Sequence, residues 1–266
     1  SLGTGRPPGV TRVSELAALE VYKRKDKAYI STFILGESTS TADAEGETLE
    51  QKDASSLTVD KIELALQQYR GDIMQIPPMV SALKHKGQPL YKLARQGIEI
   101  EREARAVTIH KAEIIAFRPG QFAELDIEVH CTKGTYIRSI AHDLGAGLGV
   151  GGHVKTLHRT RSGPYTEDHA VSLDTLHEER GEGLAEILDH HLLPVDSPLE
   201  ELPLLEIDED SAHYFKRGNS VMDIRVYQVG EQGDKVRVRE QNGSFLGIAE
   251  ITDDGMLAPR RLVVFD

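Results

Sequence analysis

Apolar and polar residues alternate most regularly at 123–131, AELDIEVHC, where Ala123, Leu125, Ile127, Val129 and Cys131 occupy every second position. A period of two predicts a strand with one buried face. Residues 27–36, KAYISTFILG, are rich in β-branched and aromatic side chains and predict another strand. The stretch after it, STSTADAEGETLEQ, has no hydrophobic period and reads as a polar loop. TVDKIELALQQYRG instead places Val59, Ile62, Leu66 and Tyr69 on one helical face, with Thr58 as cap and Gly71 as stop. Ile76-Pro77-Pro78 ends regular structure, because each proline removes a donor and restricts the residue before it. A second helix is expected around Leu90–Gln96, stopped by Gly97.

The strand at 123–131 runs into Thr132-Lys133-Gly134-Thr135 and then a helix carrying Ile137, Ile140, Ala141, Leu144 and Leu148. KGTYIR therefore occupies a strand–turn–helix junction, where unpaired backbone N–H groups can hold an anion. The acidic stretch 178–201 predicts a short helix (Leu184–Leu188) and a linker with Pro194 and Pro198. Beyond it, 224–229, 235–240, 245–251 and 260–266 are short strand-like runs separated by turn residues, the texture of a small all-β module. The expected division is a first domain over 1–197 and a second over 198–266.

No apolar run approaches the roughly 18 residues of a membrane helix. The single Cys131 excludes an intramolecular disulfide and suits a reducing compartment. Ser1 opens no leader pattern, so a cytoplasmic protein is expected. The net charge of −12 argues at first against nucleic acid, since non-specific affinity comes from Lys and Arg displacing counterions. The charge is, however, segregated. Residues 84–111 hold seven Lys/Arg against three Glu, and 133–161 hold five against Asp143 alone. Residues 167–210 carry fifteen Asp/Glu and only Arg180. One basic face on an otherwise acidic molecule is expected.

Familiar cofactor and nucleophile motifs are missing. Gly145, Gly147, Gly149, Gly151 and Gly152 follow a helix, so they read as a helix exit and not as a phosphate loop. The eleven His, including His190-His191 and the pair His153/His158, show no one-turn spacing, and no metal site is expected. Aromatics are interleaved with the basic residues: Tyr29 in a strand, Tyr91 in the first basic segment, Tyr136 and Tyr165 in or beside the second. Aromatic faces with Lys and Arg suit an unstacked base and its backbone, although a single Tyr is as readily a core residue. Arg138, at the start of its helix, can pair with a carboxylate in a cleft or remain an ordinary surface arginine.

Three stretches together resemble the TruB-type tRNA pseudouridine synthases. IPPMVSALKHKGQPLYKLARQGIEIEREARAVTIHKAEI (76–114) and CTKGTYIRSIAHDLGAGLGVGGHVKTLHRTRSGPY (131–165) are similar to two signatures of that family. KAYISTFILGESTSTADAEGE (27–47) resembles the strand bearing its active-site tyrosine, and GSFLGIAEI with LAPRRLV resembles its small PUA-like RNA-binding domain. The resemblance implies an α+β catalytic domain with a mixed, mainly antiparallel sheet flanked by helices, followed by the PUA-like domain. It implies isomerisation of a T-loop uridine in tRNA, with the base flipped out of its stack and no cofactor or metal. Tyr29 would stack on the flipped base, Arg138 would pair with the catalytic Asp, and Leu157 would line the base pocket. Lys84, Lys86, Tyr91, Lys133, Tyr136 and Arg159 would bind the RNA. His158-Arg159 departs from the family's arginine pair and puts the contact at 158 in question.

The family's nucleophilic Asp belongs to a G-x-L-D-P-x-A-T-G stretch. Ser1-Leu2-Gly3-Thr4-Gly5 resembles the residues just after that Asp, which places it immediately before Ser1. Asp26 and Asp43 match family positions that are not the nucleophile. On this reading the 266-residue chain alone is inactive and monomeric, with the T-arm of tRNA as partner. A non-catalytic tRNA-elbow binder or RNA-folding helper is the alternative, and a His-dependent metal nuclease is a third.

Overall fold

A computed structural model describes residues 26–263, which form two compact units divided between Asp168 and His169. The first unit runs β1 (Lys27–Leu35), β2 (Glu37–Thr39), β3 (Thr48–Gln51), α1 (Val59–Leu66), β4 (Gly71–Gln75), β5 (Lys84–His85) and β6 (Gln88–Pro89). It continues with α2 (Leu90–Ala94), β7 (Arg105–Arg118), β8 (Ala123–Cys131), α3 (Ile137–Gly147), β9 (Gly152–Ser162) and β10 (Tyr165–Thr166). Six strands make one sheet in the order β10-β9-β1-β8-β7-β4, and all its described pairs are antiparallel.

The alternation at 123–131 is realised residue for residue: every apolar position of β8 is buried and every polar one is not. Phe33, Leu35, Leu125, Ile127 and Val129 form the core with Ile62 and Leu66 of α1 and Ile137, Ile140 and Leu144 of α3. The opposite face carries ions. Arg118 pairs with Glu124 (2.9 Å) and Asp126 (2.6 Å), and Lys111 with Glu128 (2.6 Å). Thr58 caps α1 by accepting from Lys61 N–H, as its residue type predicts, but Val59 lies exposed.

Several expectations need correction. The polar stretch 38–51 is a two-stranded ribbon, β2 with β3, not an irregular loop. β7 and β9, of 14 and 11 residues, carry no clean period of two and were not expected. β9 begins on Gly152 because the helix exit packs backbone against backbone: a Cβ on Gly145 would lie 2.2 Å from the Gly151 carbonyl carbon.

The second unit contains α4 (Leu173–Arg180), a 3-10 helix (Ala185–His191), β11 (Leu204–Ile207), α5 (Glu209–Phe215) and β12 (Val221–Met222). It ends with α6 (Val226–Val229), β13 (Lys235–Glu240), β14 (Phe245–Ile251) and β15 (Met256–Leu262). Its five-stranded sheet, β11-β13-β14-β15-β12, is the PUA-like part, with a core that includes Ile207, Phe215, Val236, Val238 and Leu246. β11 and β13 pair parallel, so the mixed character lies in this sheet. Here too the pattern misled. Residues 226–229 form a helical turn, because Val226 alone is buried there and Tyr227 is exposed. The last strand begins at Met256 and not at Arg260, and residues 264–266 of the expected run lie outside the described residues. The single helix expected at 184–188 is a 3-10 helix, and α4 precedes it. Among the described residues no helix is long and apolar enough to cross a membrane.

Candidate active site

Arg138 joins three segments that are distant in sequence. It sits in the first turn of α3, and its Nη1 donates to Asp43 Oδ2 (2.9 Å) and to the Thr41 carbonyl (3.3 Å). Nη2 donates to the Val80 carbonyl at 2.6 Å. Both members of the Arg138–Asp43 pair are largely enclosed, with side chains 20% and 24% exposed. A charged hydrogen bond in that setting is shorter and stronger than a neutral one. These contacts use three of the five guanidinium N–H groups.

The carboxylate is placed by local structure. Thr41 Oγ1 donates to Asp43 Oδ1 at 2.5 Å, and Ala42 adopts the left-handed conformation at φ 59°. The loop is then stitched to β9 by a parallel bridge from Asp43 to Val154, in which Val154 N–H donates to the Ala42 carbonyl (3.0 Å). The helix start is fixed as well. Tyr136 N–H donates to Gln75 Oε1 (2.7 Å), and Gln75 Nε2 donates back to the Tyr136 carbonyl (3.0 Å). Gln75 is buried at the end of β4, so one side chain pins the turn from which Arg138 projects.

Farther along β9 the register pairs Ser31 with Leu157 and Tyr29 with Arg159. Directly opposed residues of an antiparallel pair share a face. Tyr29, Ser31, Leu157 and Arg159 therefore lie on one side of the sheet. The Arg159 guanidinium carbon stands 5.6 Å from the Tyr29 ring centroid, within cation–π range. Tyr29 is nearly buried, whereas Leu157 is 48% exposed and offers an apolar surface to solvent. His158, on the alternate side, pairs with Glu167 instead of facing the tyrosine.

The other expected contacts fall on two segments. Lys84 and Lys86 lie on the β5–β6 hairpin, where Lys86 and Gly87 take positive φ (48° and 86°) to make the turn. Tyr91 is in α2, with the Arg95 guanidinium 5.7 Å from its ring. That insert begins near Val80, one of the acceptors of Arg138. Lys133 is exposed in the turn after β8, and Tyr136 is the cap position of α3. A cavity of about 390 Å³ is lined by Thr41 and Val80, two of the residues whose carbonyls accept from Arg138, and by Ile76, Arg102, Ser139 and His142 among others. The His142 imidazole is held above its ordinary value chiefly by its hydrogen bond to Asp143.

The sequence singled out Arg138 and Tyr29 but pointed neither to Asp43 as the arginine's partner nor to Gln75. The only local signal was the polar cluster around Asp43. Asp26, also set aside, pairs with His110 at 2.8 Å. Ser1–Gly5 and the aspartate expected before them lie outside the described residues.

Residues 13–137 match the model for the TruB family pseudouridylate synthase N-terminal domain. Residues 138–200 match the tRNA pseudouridylate synthase B C-terminal domain, and 203–263 match the pseudouridine synthase II TruB C-terminal model. The tRNA pseudouridine synthase B of Saccharophagus degradans is 59% identical over 238 residues, covering 90% of this chain and 76% of its own. That of Stutzerimonas stutzeri is 50% identical, with 90% and 75% covered. Among solved structures, a chain of an H/ACA RNP bound to a substrate RNA containing 2'-deoxyuridine superposes with TM-score 0.63 at 18% identity. It covers 95% of this chain and 70% of that one. A chain of a Cbf5-Nop10-Gar1 complex gives TM-score 0.61 at 20% identity, covering 95% and 69%. At such identities the likeness is one of fold.

Proposed function

The chain belongs to the TruB family of pseudouridylate synthases, and from that premise we propose that it contributes the base-binding and arginine-bearing parts of a tRNA uridine isomerase acting on the T-loop. The observation that carries this reading is Arg138, immobilised by Asp43, Thr41 and Val80 with two N–H groups left for a further carboxylate.

The isomerisation breaks a glycosidic bond and rejoins the base through carbon, so a group must attack and later leave. A carboxylate can do both. We assign that role to the aspartate of the family's N-terminal motif and not to Asp26 or Asp43, which are engaged with His110 and Arg138. Arg138 orients the incoming carboxylate, while Asp43 keeps the guanidinium from swinging to solvent. The flipped uracil stacks on Tyr29, and Leu157 shields it from water. Arg159, exposed above the tyrosine, is placed for a phosphate; Lys84, Lys86, Tyr91, Lys133 and Tyr136 extend that contact along the T-arm. Residues 203–263, the PUA-like sheet, add RNA contact on the same substrate. The reading requires no metal or cofactor.

The test is pseudouridine formation on an unmodified tRNA T-stem-loop, with the chain as it stands and with a preceding segment ending in Asp. Turnover by the extended chain alone is expected. Turnover by the 266-residue chain would refute the assignment of the nucleophile. Stem-loop binding by both, with turnover by neither, would favour the RNA-folding helper.

A further inference from the structure

Away from this site, one group of three metal-ligating side chains converges among the described residues: Glu179 of α4 with His190 and His191 at the end of the 3-10 helix. Their ligand atoms all lie within 4.8 Å of one another. His190 Nε2 is 3.3 Å, and His191 Nε2 2.5 Å, from the same oxygen, Glu179 Oε2. The two rings lie 3.9 Å apart, centroid to centroid, and are tilted by 40° to one another.

The backbone orients one of the ligands: His190 Nδ1 lies 3.0 Å from the Ile187 carbonyl, and the ring turns Nε2 toward Glu179. A backbone carbonyl fixing the remote ring nitrogen is also how a metal-bound histidine is oriented.

We propose that Glu179, His190 and His191 bind a divalent transition metal of the zinc class. Two ligands bound tetrahedrally at about 2.0–2.1 Å from zinc lie roughly 3.3–3.4 Å apart, the spacing already present between His190 and Glu179. His191 needs only a small outward rotation, and water completes the exposed shell. Two imidazoles and one carboxylate suit zinc, cobalt, nickel or copper better than calcium or magnesium. The consequence is structural. Neither α4 nor the 3-10 helix contains a buried residue, so a metal would staple two elements that lack a core of their own.

The experiment uses the untagged 266-residue chain after removal of metals with a chelator. Zn²⁺ is titrated in competition with a chromophoric chelator, and Co²⁺ is followed by its visible absorption. One tightly bound equivalent is expected, with tetrahedral-type cobalt bands. Both His190→Asn/His191→Asn and Glu179→Gln should weaken zinc by about tenfold or more and remove the cobalt bands. Glu179 and His190 are exposed and His191 half-buried, and unchanged far-UV circular dichroism of the metal-free variants checks that they fold. Absence of a bound equivalent in the parent chain, or parental affinity in the double variant, would overturn the proposal.

Discussion

Arg138 and Asp43, 95 positions apart, form a largely enclosed ion pair at 2.9 Å, and that pair ties the turn after β2 to the first turn of α3. The pair is reinforced from both sides, by Thr41 on the carboxylate and by Val80 on the guanidinium. An arginine so held loses little entropy when it takes up a second anion.

Removing the carboxylate should therefore impair catalysis more than RNA binding. In a chain carrying the N-terminal motif, Asp43→Asn should lower kcat by ~10- to 150-fold, the equivalent of the roughly 1.5–3 kcal/mol of a charged hydrogen bond. Stem-loop affinity should be nearly unchanged. Single-turnover kinetics beside filter binding separates the two effects, and an equal loss in both would argue against a positioning role.

Gln75 exchanges two hydrogen bonds with the Tyr136 backbone. Gln75→Ala leaves the Tyr136 N–H without its acceptor, while the Tyr136 carbonyl keeps the Ile140 N–H, and should cost about 1–3 kcal/mol. Urea denaturation measures it, as a lower midpoint with unchanged slope.

Gly145→Ala is a second stability test. The added methyl would meet the Gly151 and Gly152 backbone at 2.2–2.4 Å, where no flexible side chain can yield. A loss of about 1–3 kcal/mol is expected. Thermal unfolding unaffected by the substitution would show that the turn at 147–151 relaxes.

Cys131 ends β8 fully buried, and desolvation pushes its thiol up to about 11. The reactive species is the thiolate. The folded protein should resist alkylation at pH 8 and react with one equivalent once unfolded; mass spectrometry after timed quenching reads both states.

The ion-bearing face of the first sheet predicts an acid limb of stability. Hydrogen bonds to Lys155 and Arg118 lower Glu124, that to Arg118 lowers Asp126, and those to Lys111 and His130 lower Glu128, from ordinary values of 4.5, 3.8 and 4.5. Groups depressed in the folded state stabilise it above their ordinary values, and that contribution is lost as pH falls through the lowered ones. The carboxylates are only half-buried and their partners reach solvent, so the effect is modest and screened by salt. Melting temperature should fall below about pH 4, less steeply in Arg118→Gln; a flat profile would mean that the pairs persist in the unfolded chain.

The sequence by itself determined the elements whose signals are local. The alternation of β8 survives because a half-buried strand buries every second residue whatever it packs against. Thr58 and the KGTYIR turn likewise carry their own backbone chemistry. Motif resemblance pointed to the family, which the family assignment bears out, and it singled out Tyr29, Arg138 and Leu157 as the residues to test. Only the tertiary structure decided the rest. β9 has mixed polarity because it lies between β1 and the short β10, with one stretch against the core and the other in solvent, so no period marks it. Asp43 became the partner of Arg138 through the bridge to Val154, and Glu179 met His190 and His191 through the packing of α4 against the 3-10 helix. Contacts of that kind depend on where a chain returns in space. Sequence spacing encodes positions along one element, and it carries no record of which distant carboxylate the fold will bring alongside.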